Sequence, residues 1–127
     1  VSTTMHNPSV YAPGADITGE ATAAVTAKRF VVISGNRTAG GNIAVAPAAA
    51  GARPCGVAGN DAAIGGLVRV VRGNSRVVRV TASGAIAANV EVQVGANGTV
   101  ATKAAGLAVG YALTAAADGA DAEISLY

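Results

Sequence analysis

The chain has 127 residues, a formal net charge of +2 and an apolar fraction of 51%; these totals fit one domain and give no electrostatic reason to invoke nucleic acid or a membrane surface. The apolar total consists mostly of small side chains, with 31 Ala against 29 Val, Ile, Leu and Phe together and no Trp. Burial then gains little per ordered residue, so a thin core stabilised by oligomerisation or by docking on a larger surface is expected. The single cysteine, Cys55, excludes an intrachain disulfide.

Residues 1–19 hold Pro8, Pro13, Gly14 and Gly19 among polar residues, with Val10, Tyr11 and Ile17 to bury. Such a stretch predicts an extended N-terminal arm ahead of one β-rich domain over 20–127. Two readings fit it: a frayed end, or an arm that orders on a neighbouring subunit with Tyr11 as anchor. The opening Val1-Ser2-Thr3-Thr4-Met5-His6 lacks the basic start and apolar core of a secretory signal.

Glu20 to Lys28 suits a helix by its alanines and a strand by Thr22, Val25 and Thr26. Arg29 to Ser34 predicts a buried strand, Gly35 to Asn42 a loop, Ile43 to Val45 a short strand closed by Pro47, and Cys55 to Ala58 another. Asp61 to Ile64 is expected to make one helical turn capped by Asn60 or Asp61.

Two β-hairpins are expected next. Leu67 to Val80 sets β-branched runs around Gly73-Asn74-Ser75, which would pair Arg72 with Arg76, Val70 with Val78 and Arg69 with Arg79. Like charges in directly opposed pairs are unfavourable unless solvent or an acidic partner covers them. Val90 to Lys103 turns at Ala96-Asn97-Gly98 and sets Val94 against Val100, Val92 against Thr102 and Glu91 against Lys103. Near the end, period-two alternation puts Leu107, Val109, Tyr111 and Leu113 on one face, then Ala122, Ile124 and Leu126 on one face of a last strand. Short strands separated by turn residues indicate an all-β fold, a small β-barrel or β-sandwich of short antiparallel strands. No repeat of fixed period is evident.

The residues that carry chemistry elsewhere are sparse. His6, the one histidine, lies in the arm without partners, and Cys55 has neither a second cysteine nor a nearby base. Asp118, Asp121 and Glu123 lack the spacing of a calcium loop, and no phosphate-binding or nucleophile-elbow motif occurs. Neither a cofactor nor a metal is expected, and the chain does not read as an enzyme. Between Asp61 and Glu91 the charged residues are Arg69, Arg72, Arg76 and Arg79. They read as a solvated, charge-protected edge or as a contact for an acidic protein surface. The absence of interleaved aromatics argues against direct nucleic-acid binding.

The order of Thr18 to Val25, Arg29-Phe30-Val31, Arg53 to Ala58 with Asp61-Ala62-Ala63, and Val68-Arg69-Val70 resembles the capsid cement, or head decoration, proteins of tailed bacteriophages. So do Ala82 to Ile86, Val90-Glu91-Val92, Gly110 to Leu113 and Ala122 to Leu126. The resemblance implies a non-enzymatic structural protein of the virion, assembled in the host cytoplasm. On the outer capsid surface it would bind the major capsid protein, and itself as a trimer, stabilise contacts between capsomers, and have no membrane partner. Val10, Tyr11, Pro13 and Ile17 of the arm, with Arg69, Arg72, Arg76 and Arg79, are the expected contacts with shell or neighbour. The rival expectations are another virion part, a head fibre base or tail subunit, and a carbohydrate or nucleic-acid binding module.

Overall fold

The structure, a computed structural model, describes residues 3–127; Val1 and Ser2 of the expected arm lie outside the described residues. Residues 3–16 run without a strand, and ten short strands follow: β1 (Ile17–Ala21), β2 (Phe30–Ile33), β3 (Ile43–Pro47), β4 (Gly56–Ala58), β5 (Leu67–Val71), β6 (Val77–Thr81), β7 (Glu91–Val94), β8 (Val100–Thr102), β9 (Gly110–Ala112) and β10 (Asp121–Leu126). Ile17 to Gly19, read from sequence as the end of the arm, form the first half of β1.

β1 to β5 close into a barrel in the order β1-β3-β2-β4-β5, and β6 to β10 form a second sheet in the order β6-β10-β9-β7-β8. The two are copies of one pattern. The β1–β5 pair Ile17↔Val70 becomes Val78↔Ile124 in β6–β10, and the β2–β4 pair Val31↔Gly56 becomes Val92↔Gly110 in β7–β9. The parallel pair Ala21↔Val45 returns as a single bridge, Ala82↔Val100, which joins the two edges of the second sheet at one end. Details outside the strands repeat as well: Val25↔Ala62 and Ile86↔Ala116 are matching bridges, and Lys28 and Asn89 both hold φ 61°. The fold is therefore an internal duplication, which the sequence does not display as a repeat because little beyond small and turn-forming residues coincides.

Barrels of five strands are narrow, and a narrow barrel has room inside only for small side chains. The first is filled by Ile17, Ala21, Val25, Val31, Val45, Ala58, Val68 and Val70. The second sheet buries the matching Val78, Ala82, Ile86, Val92, Val100, Ala112, Ala122 and Ile124. The Ala and Val richness thus matches the narrow interior that these side chains fill. Phe30 points out of the first barrel and, with Val57 and Ala48, packs into the core of the second unit. Backbone bonds cross the same junction, from Thr81 N to Lys28 O at 2.9 Å and from Gly51 N to Val94 O at 2.8 Å.

Several local expectations change. The hairpin expected over Leu67 to Val80 is absent: β5 pairs with β1 and β4, β6 pairs with β10, and Gly73-Asn74-Ser75 is the link between the two units. Arg72 and Arg76, Val70 and Val78, and Arg69 and Arg79 are therefore not cross-strand pairs. The second hairpin has the expected register, Val94↔Val100 and Val92↔Thr102. Glu91 and Lys103 meet through the backbone at 2.9 Å, while their side chains go to Tyr127 and to the Ala104 carbonyl. Asp61 to Ile64 is not helical, because Ala62 bridges Val25 and the Asp61 carboxylate accepts the Ala27 N–H. The alternation expected at 107–113 holds from Gly110 on, with Gly110 and Ala112 inward and Tyr111 and Leu113 exposed with Leu107, whereas Val109, placed on their face, is buried. A Cβ at Gly110 would collide with the Ser125 carbonyl, so only the small residues can face β10.

Candidate interaction surface

The arm is held to the body at two places. Tyr11 lies beside Arg37, whose guanidinium sits 6.0 Å from the ring centroid and donates to the phenol oxygen at 3.4 Å. Pro13-Gly14 then makes a turn, with Gly14 at φ 71°, that brings Gly14 against Gly73 of the inter-unit link. A Cβ on Gly73 would lie 3.0 Å from Gly14 Cα, so the close approach of the two backbones requires glycine there. Arg76 reaches back over the turn to the Gly14 carbonyl at 3.5 Å.

Asp16, the residue before β1, is the clasp. Its carboxylate accepts from Arg69 Nε at 2.6 Å and from Arg76 Nη1, so one acid joins β1, β5 and the start of β6. The Arg69 hydrogen bond is the main cause holding its carboxyl below the ordinary carboxylate value; burial opposes it and Arg76 adds to it. Nothing in the sequence pairs these residues, which stand 53 and 60 positions apart. The one available signal is that Asp16 is the arm's only acid.

Two clefts flank the arm. One, of about 420 Å³, lies between Pro13, Gly14, Cys55, Arg72 and Tyr127; the other, of about 480 Å³, is lined by Tyr11, Ile17, Ile33, Arg53 and Arg72. Arg53 and Arg72 line both and make no ion pair among the described residues. Cys55 sits between them half-buried, its thiol pushed up by burial and only partly countered by Arg72. A thiol held protonated and without a base is not an activated nucleophile.

A third groove, of about 330 Å³, lies between the two units and is lined by Lys28, Arg69, Arg76, Arg79, Val71 and Val77 among others. Arg69, Arg76 and Arg79 thus share one groove, joined by Lys28, while Arg72 lines the two clefts beside the arm. Val10 is exposed at the arm's surface, Pro13 and Tyr11 line clefts, and Ile17 is 5% exposed inside the first barrel. Lys28, Arg37 and Arg53 belong to this surface and stand out in the sequence by no spacing or motif. Among the described residues no group of three or more His, Cys, Asp or Glu is placed to hold a metal ion.

Comparison with known proteins agrees with this picture. A family profile described as phage cement protein matches residues 11–126, from the Tyr11 anchor to the end of β10. Among solved structures, the head fiber gp8.5 N base in bacteriophage phi29 aligns with a TM-score of 0.76 and 24% identity, covering 89% of this chain and 93% of that one. At that identity the likeness establishes the fold alone. No curated protein matches the chain in sequence.

Proposed function

The chain belongs to the phage cement protein family and is a structural protein of a phage virion, and from that premise we propose that it coats the outside of the assembled icosahedral shell, binds the major capsid protein across capsomer boundaries as a homotrimer, and catalyses no reaction. The observation that carries this reading is the arm, 14 described residues exposed or half-buried and tied down by Asp16 and Tyr11. An arm so fastened leaves Val10, Pro13 and the open faces of Tyr11 available to a neighbour. Arg72 and Arg53 stand beside it with their charges unmatched by the chain's own acids.

The energetic role is mass action. A protein that binds only the assembled shell stabilises it by RT ln(1 + [L]/Kd), about 2.7 kcal/mol per site at a hundredfold excess over Kd. A trimer multiplies this, since docking of one subunit raises the effective concentration of the others.

The test is attachment to shells that lack the protein, read by co-sedimentation and cryo-EM. Full-length chain should occupy lattice-wide sites, and a chain lacking residues 1–15, with Asp16 and β1 kept, should remain folded but attach more weakly. Undiminished attachment would show that the arm is not a contact. The fold shared with a head fibre base favours a second reading, the foot of a fibre; density at isolated positions instead of across the lattice would establish it over cement.

A further inference from the structure

The two units differ at one place that matters for binding. In the first barrel the C-terminal half of β1 is covered by β3, which pairs Gly19↔Ile43, Glu20↔Ala44 and Ala21↔Val45. In the second, the loop before β8 is shorter, Gly95 to Thr99 against Gly35 to Asn42, and only the Ala82↔Val100 bridge remains. β6 is an edge strand whose one strand partner is β10.

The direction of its free backbone groups follows from two bonds. Leu126 N donates to Arg76 O on the β10 side, whereas Thr81 N donates to Lys28 O on the other. Backbone groups alternate sides along a strand, so the N–H and C=O groups of Val77 and Arg79 point away from β10 and into the groove between the units. That groove presents Lys28, Arg69, Arg76 and Arg79, with Val71 and Val77 between them, and no carboxylate lines it. Asp16 and Asp121, which pair with three of these cations, approach from outside its walls, and Glu123, directly opposite Arg79 across β6–β10, makes no ion pair with it.

We infer that this groove takes an extended acidic segment of the shell subunit as an added strand on β6, an inference that rests on the proposed function for the source of the segment. Side chains of directly opposed residues share a face, so the added strand would set an apolar residue beside Val77 and, two positions along, an Asp or Glu beside Arg79. Main-chain bonds to Val77 and Arg79 would supply affinity and the carboxylate the selectivity. A second copy of this chain fits poorly, because its arm offers Asp16 alone and that acid is already clasped.

The probe is the peptide acetyl-Thr-Ile-Thr-Glu-Thr-amide, titrated into the full chain by NMR. It should move the amide signals of Val77, Arg79 and the facing Val57 and Val71. Replacing its Glu with Gln should weaken binding about tenfold, as loss of one charge-assisted hydrogen bond does, and so should N-methylation of the amides that would meet β6. Arg79→Gln should weaken the Glu peptide by the same factor and leave the Gln peptide unaffected. Lys28→Asn, which installs the residue the second unit carries at the matching φ 61° position, tests the groove without strain. Equal affinity for both peptides, indifference to N-methylation, or signal changes elsewhere would overturn the inference. So would a preference for an oligo(dT) strand with steep salt dependence, which would assign the groove to nucleic acid. Shell attachment of Arg79→Gln separates the two proposals. Weakened attachment supports the shell as the source, whereas unchanged attachment with the peptide effects intact overturns that source and leaves the cement reading in place.

Discussion

Replacing Asp16 with Asn tests the clasp that ties the arm and the link between the units to the first barrel. The carboxylate side chain is 26% exposed, Arg76 34% and Arg69 60%. The Arg69 contact is therefore close to a surface pair, worth about 0.2–1 kcal/mol, and the more enclosed Arg76 contact is nearer the lower range of charge-assisted hydrogen bonds, about 1.5 kcal/mol. Together they give about 2 kcal/mol, or roughly 4–10 °C in Tm for a domain of this size. The carboxyl is held below its ordinary value of 3.8, so its contribution is fully present above that pH and fades as the pH falls through the native value. Thermal unfolding at pH 7 and at pH 2.5 reads both effects: the gap between wild type and Asp16→Asn should be wide at pH 7 and clearly narrower at pH 2.5. An equal gap at both pH values, or none at pH 7, would refute the assignment. A double-mutant cycle with Arg76→Gln should return most of the coupling.

Gly56→Ala and Gly110→Ala should each destabilise strongly in chemical denaturation, because a Cβ at Gly56 would come within 2.6 Å of the Val71 carbonyl and the same crowding recurs at Gly110; a cost of about 1–3 kcal/mol or more is expected. Gly119→Ala, at φ 78° with open space around it, should cost only about 1 kcal/mol. Phe30→Ala should cost about 3–5 kcal/mol, since the ring is 0% exposed where the two units meet. If the units then melt in two separate transitions in calorimetry, the ring is what couples them; a single unshifted transition would contradict its place in the shared core. The Tyr127 phenol, which donates to Glu91 at 2.8 Å, is raised above 10 chiefly by that hydrogen bond. Ultraviolet titration of Glu91→Gln should bring one tyrosine back toward its ordinary value.

Local alternation and turn chemistry made the all-β class and the β7–β8 hairpin legible, since Val92, Val94 and Val100 agree with a Gly98 turn. The same reasoning failed at Leu67 to Val80 for a physical reason. Gly73, at φ 137°, and Ser75, at φ 61°, make a sharp turn, but β5 is taken on both sides by β1 and β4, so the chain leaves the first barrel where a hairpin would have stayed. Pairing with a strand some fifty residues earlier leaves no trace in local sequence, and the Asp16 clasp is hidden for the same reason. At Tyr111 periodicity gave the two faces and contact decided which is buried: Gly110 must face inward because nothing larger fits, and the tyrosine turns outward to meet Tyr127 at 6.3 Å between ring centroids.

The duplication bears on how the interaction surface arose. Positions that the fold forces to match are backbone positions, such as Gly56 with Gly110 and Lys28 with Asn89, and side chains at the remaining positions are free to differ. Lys28, Arg69 and Arg72 of the first unit correspond to Asn89, Glu123 and Leu126 of the second, so the first unit carries cations where the second carries a neutral, an acidic and an apolar residue. The groove between the units therefore has Lys28 and Arg69 on the first unit's wall and the uncovered edge of β6 with Arg79 on the other, so neither unit alone builds it. Lengthening the loop at Gly95 to Thr99 to match Gly35 to Asn42 should extend the Ala82↔Val100 bridge to Val80 and Thr81, the positions that match Gly19 and Glu20, and leave the edge open at Val77 and Arg79. Amide exchange at Val77 and Arg79 should stay as fast as in the parent chain, and slow exchange there in both chains would show that the edge was never open.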